Sequence, residues 1–466
     1  MIRRAILLAL TTICILSSSL HAQTVLDRYI HEGLENNLAL KQEEFSLHMS
    51  LQALKEAKGM FLPSISIEAR YSFSGGGRQI DFPIGDLFNP IHGTLNQLLA
   101  TQGAAPQFPT DLANQQIPFL RPREHETKLR VVQPVFQPKI LHNRKLQASL
   151  NRRQEAKTNA YSRQLVLDIK TAYYTYLKTL RVADILTDTR ALLEENLRVS
   201  RSLEANHKVT AEIPLRSQAE LLALDKQLAG SRKNVVMAAA YFNFLLNRPL
   251  DTAIDEGDTP LESGRYDPKQ LLESARRHRE EFAQLQAAIH AARQGIKLEN
   301  SNWLPAVTAV LDYGFQGEEY RFGKDDDYWM ASLVISWNLY NGGRDKARKA
   351  QAQLRKKQLE AGLRQLDSQI HMQVTEARQQ LEVARRTLAS SEALRRSRDE
   401  ALRIITRKYG EGMVPQIEFI QAQNQATAAN LQTAISRFDL LIQEARLERV
   451  CALFNLNPKG VDTTKE

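Results

Sequence analysis

The sequence predicts a mainly α-helical chain that also carries four membrane-length β-strands, built as a tandem repeat of helical hairpins. Three observations predict it. Long stretches free of proline and glycine alternate with short breaks, as long helices require. Between them lie segments of strict apolar–polar alternation, the period of a strand with one apolar and one polar face. The order of these segments also occurs twice, with Trp303-Leu304-Pro305 echoing Phe61-Leu62-Pro63 at a distance of 242 residues. Repetition on this scale constrains architecture more firmly than any single motif.

Composition sets the outer limits. With 466 residues, 43% hydrophobic and 25% charged, the chain is globular in type rather than disordered. Of the net charge of +9, Arg3 and Arg4 supply two, and the remainder is spread along helices. A solvated helical surface fits that distribution better than a nucleic-acid interface. Residues 1–22 read as a secretory signal, with Arg3 and Arg4 as its charged start, Ala5–Leu16 as its apolar core and Ala22 at the cleavage edge. Cys14 leaves with it, so Cys451 stands alone in the exported chain and no internal disulfide forms. No later apolar run reaches the ~20 residues of a membrane-crossing helix. Any crossing must be made by strands.

The first repeat is expected over residues 23–250. Residues 24–57 read as one helix, ended by Gly59 and Pro63. A strand follows to Ser74, with Ile65, Ile67, Ala69, Tyr71 and Phe73 on one face and Ser66, Glu68 and Arg70 on the other. Residues 75–125, with three consecutive glycines and six prolines, read as a long surface loop. A second strand runs from Thr127 to Gln137 through Leu129, Val131 and Val135, and Pro134 inside it predicts a bulge or the strand's end. Pro138, suited to a first helical position, opens a helix to His207 that would be about 100 Å long. A break at Lys208–Pro214 separates it from a helix over residues 215–246.

Residues 251–267 read as a linker, and residues 268–458 repeat the plan, leaving a tail at 459–466. A helix covers 268–300. Then come strands with Val307, Ala309, Leu311, Tyr313 and Phe315 opposite Asp312, and Ala331, Leu333, Ile335 and Trp337 opposite Ser332 and Ser336. Lipid-facing and lumen-facing roles follow from the two parities. Aromatics near the strand ends stand where interfacial girdles belong. A soluble amphipathic hairpin remains the other reading of this stretch alone. Gly342-Gly343 opens the second long helix, whose ladder Leu363, Leu366, Ile370, Val374, Ala377, Leu381, Ala384, Leu388 steps by three and four. A break at Tyr409–Pro415 precedes the last helix. Pro214 and Pro415 are 201 residues apart, a shortfall of 41 against 242 that falls close to the difference between the two strand-to-strand loops.

Four strands cannot close a barrel, and lipid tolerates no open sheet edge, so several chains must share one barrel. Three chains give twelve strands and an aqueous lumen; two give eight and a lumen filled by side chains. The long helices, each matched by two shorter ones, suit a tube continuing that barrel.

The double helix–hairpin–helix plan, with Tyr409-Gly410-Glu411-Gly412 followed by Glu418, Ala422 and Gln423, resembles the TolC-type outer-membrane efflux proteins over residues 24–458. The first-repeat turn, Lys208 to Pro214, departs from that pattern in having neither glycine nor tyrosine. The resemblance implies a homotrimer, a shared twelve-stranded β-barrel in the outer membrane of a Gram-negative cell, and a long periplasmic α-barrel. It implies docking of a periplasmic adaptor protein and an inner-membrane pump. It also places the closable, adaptor-docking tips at Lys208, Thr210, Glu212 and Pro214 in one repeat and at Tyr409–Gly412, Pro415, Glu418, Ala422 and Gln423 in the other.

No catalytic constellation, cofactor motif or metal-ligand spacing stands out, so no enzyme is expected. The acidic stretch Glu318, Glu319, Asp325–Asp327 reads as a solubilising loop tip or as a cation-attracting mouth. Glu411 and Glu418, repeated around an axis, would make carboxylate rings; Glu418 would otherwise cap or pair on a helix surface. Gly410 and Gly412 are expected to serve positive-φ turn geometry. Two functional classes stand: an export conduit that conducts passively, and a coiled-coil structural or adaptor protein of the envelope without a pore.

Overall fold

The computed structural model describes residues 24–259, 261 and 267–454. The signal segment, the last four residues of the expected second repeat (455–458) and the tail lie outside the described residues. The chain divides into a strand unit, residues 54–145 and 294–352, and a helical unit formed by the rest.

In chain order the elements are α1 (Val25–Asn36), α2 (Leu38–Gly59), β1 (Ser64–Phe73), β2 (Gln79–Phe82), α3 (Ile84–Thr101), β3 (Gln115–Pro118), β4 (Arg123–Phe136), α4 (Pro138–Ala205) and α5 (Glu212–Leu245). The second repeat gives α6 (Pro268–His278), α7 (Glu280–Asn300), a short 3-10 turn at Ser301–Trp303, β5 (Ala306–Gly317), β6 (Asp327–Ser336), α8 (Arg344–Gly410) and α9 (Gln416–Cys451). Helices α4 and α8 run 68 and 67 residues, and Pro138 occupies the expected first helical position. None of the described helices is long and apolar enough to cross a membrane.

Two single helices of the sequence reading are each broken in two. Residues 24–57 break at Asn37 and residues 268–300 at Arg279, both extended, with ψ of 122° and 125°. These positions are 242 residues apart, the same offset as Pro63 and Pro305, so the break belongs to the duplicated unit. The chemistry that holds it has diverged. Buried Asn37 donates from Nδ2 to Leu245 O at 2.8 Å, and its Oδ1 accepts from Leu40 N at 2.9 Å, capping α2. Arg279, also buried, makes a two-point contact with Glu281 and donates to Gln373 Oε1 at 2.6 Å. Glu281 in turn accepts from Arg449 at 3.1 Å.

The loop expected over residues 75–125 holds structure of its own. β2 and β3, which flank α3 in the chain, pair antiparallel. Pro90 and the glycines at 85 and 93 read as breakers, yet the helix persists because amides outside it complete its surroundings. Asn89 holds Leu112 through both its N–H and its carbonyl, and Asn96 accepts from Gln107 N and Phe108 N at 3.0 Å.

The helical unit buries its core around Tyr29, Ile169, Tyr173, Phe242 and Leu246, where Tyr29 meets Phe242 edge-on at 5.1 Å. Each such fully buried side chain contributes on the order of 1.5–3 kcal/mol. A second cluster contains Ile370, Val374, Ala377, Leu381 and Leu388 from the α8 ladder, with Leu366 and Ala384 packed beside them. Cys451 lies in that cluster, and burial pushes its thiol up to about 12, out of reach of thiolate chemistry. The described part of the linker is tied down as well: Asp255 N donates to Tyr29 O–H at 2.7 Å and Gly257 N to Tyr173 O–H at 2.8 Å.

Asn37→Ala leaves Leu245 O and Leu40 N without partners, and is expected to cost about 1–3 kcal/mol. The loss is read as a lower midpoint in thermal unfolding of the helical circular-dichroism signal. Asn37→Asp keeps the cap acceptor and is expected to fall between the two.

Candidate functional site

The four long strands form one antiparallel sheet in the order β1-β4-β5-β6, with β1 and β6 each paired on one side only. Register carries the sequence alternation across all four. One row reads Ile67, Leu129, Tyr313, Trp329 and the next Ile65, Val131, Leu311, Ala331. Every large apolar side chain assigned to the lipid side is solvent-exposed in the single chain: Ile65, Ile67, Tyr71, Phe73, Leu311, Tyr313, Leu333, Ile335 and Trp337, with Ile67 and Phe73 at 76%. Trp337 stands one residue beyond β6, where its Nε1 donates to Trp303 O at 3.1 Å. A continuous exposed apolar surface of this kind calls for another apolar phase.

The opposite face is charged and internally paired. Glu68, Arg70, Asp312, Ser332 and Ser336 share it as expected, but β4 supplies its centre. Arg130 grips fully buried Asp312 through Nε and Nη2, each at 2.8 Å, and reaches Glu68 at 3.1 Å. Lys128 meets Glu126 at 2.8 Å, Tyr328 O–H donates to the same carboxylate at 2.6 Å, and Arg70 lies 3.6 Å from it. Glu126, Lys128 and Arg130 occupy the parity opposite Leu129 and Val131. The alternation that marked β4 as a strand therefore held the signal for them too. Gly314 lies opposite Lys128 in the β4–β5 ladder and leaves room for it, since a Cβ there would come within 2.6 Å of Lys128 Cβ. At Pro134 the β4–β5 register shifts, as a proline in a ladder demands.

Aromatic rings gather at both ends of the sheet. Tyr71 and Phe73 pack at 4.9 Å, and Phe315 and Tyr320 each meet Phe322 within 5.4 Å, on the β5–β6 loop side. Trp303 and Trp337 stand at the other. The acidic β5–β6 loop keeps Glu319 paired with Arg321.

In the helical unit the two turns share a construction. After α4, His207 takes φ 54° and Lys208 N closes back on Leu203 O at 2.9 Å; after α8, Gly412 takes φ 75° and Met413 N closes on Lys408 O at 2.9 Å. His207 and Gly412 are 205 residues apart, and so are Asn247 and Ala452, the left-handed residues after α5 and α9. The repeat offset here is therefore 205, and the shortfall 37. Pro214 and Pro415, 201 apart, are not equivalent: buried Pro214 lies in the first turn of α5, whereas Pro415 precedes α9 as its N-cap. Gly410 likewise departs from expectation, ending α8 in helical conformation and leaving the positive φ to Gly412 alone.

Lys208, Thr210, Glu212, Glu411 and Glu418 are exposed at these turns, and Tyr409 stacks on Phe419 at 5.0 Å and 12°. Glu418 sits in the first turn of α9, where the helix dipole favours its charge. Ala422 and Gln423 are buried. One of the contacts joining the two hairpins leaves no trace in the sequence pattern. Buried Gln416 donates to Ser217 Oγ at 2.8 Å and Ser200 Oγ at 3.1 Å, binding α9 to α4 and α5. A serine or glutamine within a helix carries no periodic signal of a buried partner.

Removing Asp312 strands Arg130 on the polar face. Asp312→Ala is expected to lower the stability of the sheet by about 1–3 kcal/mol. Heat resistance of the detergent-extracted protein measures this, with Ser336→Ala expected to change little.

Residues 271–452 match the family model described as outer membrane efflux protein. No curated protein matches the chain. Among solved structures, the Campylobacter jejuni CmeC outer membrane channel superposes with a TM-score of 0.75 at 11% identity, covering 92% of this chain and 85% of that one. A membrane protein from Pseudomonas aeruginosa gives 0.73 at 16%, covering 92% and 93%. The outer membrane protein VceC of Vibrio cholerae gives 0.72 at 16%, covering 91% and 95%. The second repeat thus matches the outer membrane efflux protein model, and over nine-tenths of its length the chain shares the fold of these three solved proteins.

Proposed function

We propose that this protein is the outer-membrane exit duct of a tripartite efflux or type I secretion assembly. It would conduct passively what a periplasmic adaptor and an inner-membrane pump deliver. The observation that carries the reading is the two-faced sheet with two free edges. β1 and β6 are each ten residues long and each lacks a partner on one side, so β6 of one copy can pair with β1 of the next. Three copies supply twelve strands, enough for a water-filled lumen with the ion-paired face inside. The two repeats, 23–250 and 268–458, would then each contribute one hairpin of strands and one of helices. An envelope adaptor without a pore needs long helices but gives no use to an exposed apolar sheet face.

Detergent-purified protein is therefore expected to be a trimer by light scattering, and a stable monodisperse monomer overturns the proposal. Leu333→Arg, on the apolar face, is expected to cost about 2–4 kcal/mol of assembly. Ser336→Arg is expected to be tolerated, and equal tolerance at both positions contradicts the face assignment.

We further propose that the turns at 206–211 and 411–415 form the closable entrance, with Gln416 and its two serines holding the resting arrangement. Gln416→Ala removes two buried hydrogen bonds remote in sequence from the strands. It is expected to raise conductance in planar bilayers while the trimer persists. Neutralising Glu411 and Glu418 together is expected to reduce cation preference; unchanged selectivity rules out a carboxylate ring there.

A further inference from the structure

Among the described residues of the strand unit, His142 and Gln294 each leave one buried side-chain atom without a hydrogen-bond partner, but His125 leaves both of its ring nitrogens so. It is fully buried at the start of β4, and neither ring nitrogen has a hydrogen-bond partner. Unsatisfied buried polar groups are few in folded proteins, and each calls for a reason. The ring is not free to turn away. It lies against Tyr320 at 4.4 Å, and Tyr320 is itself fixed by a 2.7 Å hydrogen bond between its hydroxyl and Thr127 Oγ1.

What the ring faces is a gap. His125 pairs with Gly317 in the β4–β5 ladder. A Cβ built on Gly317 would meet Asp326 Oδ1 at 3.1 Å, His125 Nε2 at 3.3 Å and Glu319 O at 3.5 Å. A ring nitrogen, a carboxylate oxygen and a backbone carbonyl thus surround one space that only glycine leaves open. The loop delivers Asp326 there by its backbone, which accepts from Gln316 N at 2.8 Å and donates to Gly323 O at 3.2 Å. Its carboxylate has no ion pair among the described residues, and Glu318, Asp325 and Asp327 flank the site in sequence.

The geometry points to a site for one divalent ion of the zinc class in the β5–β6 loop, with His125 Nε2, the Asp326 carboxylate and the Glu319 carbonyl as its protein donors. Imidazole nitrogen with carboxylate oxygen suits zinc and its neighbours, whereas calcium and magnesium prefer oxygen alone. Among the described residues no three His, Cys, Asp or Glu side chains converge. With two side chains and one carbonyl, water completes the shell and the site is open and exchangeable rather than a structural zinc. Binding would tie the loop to β4 and give the buried imidazole its missing partner.

The test is calorimetric titration of zinc chloride into the full-length protein in detergent. One zinc per chain is expected. His125→Gln and Asp326→Asn are each expected to weaken binding at least tenfold, and Gly317→Ala, whose methyl fills the gap, to do the same. Glu318→Gln, which only removes a neighbouring charge, is expected to bind as the parent does. No binding by the parent overturns the inference. So does equal binding by the His125 and Asp326 variants, or a loss at Glu318 as large as theirs, which means diffuse acidic attraction only. Should His125→Gln fail to assemble, the Asp326 and Gly317 variants, both outside β4, decide the matter.

Discussion

A sheet with two free edges is an unfinished object. The backbone N–H and C=O groups along β1 and β6 find partners in water or in another strand, and in lipid only the second is available. The exposed apolar face rules out the first over the same residues. Edge and face together therefore fix the assembly problem more strictly than any side chain does. A soluble hairpin can blunt its edges with charge or proline. Here the outward residues of β1 and β6 are Ile65, Ile67, Leu333 and Ile335, which invite a like neighbour rather than repel one.

Duplication supplies the rest, and its two copies show which features are backbone and which are chemistry. The breaks at Asn37 and Arg279 keep one geometry while an amide cap in one copy gives way to a buried ionic cluster in the other. The left-handed residues after the helices are His207 and Gly412 in one pair and Asn247 and Ala452 in the other. Asparagine and glycine enter that region readily; histidine and alanine do so at a cost of about 1–2 kcal/mol, which the 6→1 closing hydrogen bonds help to offset. Conformation has outlasted residue identity at these positions.

This explains what the sequence could and could not disclose. Period-two alternation is a direct image of a strand with two different surroundings, so Leu311, Asp312, Leu333 and Ser336 were legible as to face. The same alternation on β4 marked Lys128 and Arg130, but the grip of Arg130 on Asp312 depends on register between strands 182 residues apart. The 75–125 loop concealed α3 because Pro90 and Gly93 oppose a helix locally, and the clamps that rescue it come from Asn89 and Asn96 reaching distant backbone. The breaks at Asn37 and Arg279 fall inside good helix-forming sequence, where nothing local calls for one. Prolines misled most: Pro214 and Pro415 look equivalent, yet a proline fits within the first turn of a helix as readily as before it.

The charged face of the sheet bears on selectivity. Its six central groups are three acids, Glu68, Glu126 and Asp312, and three bases, Arg70, Lys128 and Arg130, each in contact with opposite charge. A lining so paired is wet without carrying a net field, and repeating it around an axis repeats the cancellation. Such a surface holds water and, under the proposed function, would favour solutes of neither sign. Discrimination, where the chain exerts any, must come from charges left unpaired. At the helical turns Lys208, Glu212, Glu411 and Glu418 are exposed and without ion-pair partners among the described residues, so under the proposed function a charge preference would be sought there rather than on the paired face of the sheet.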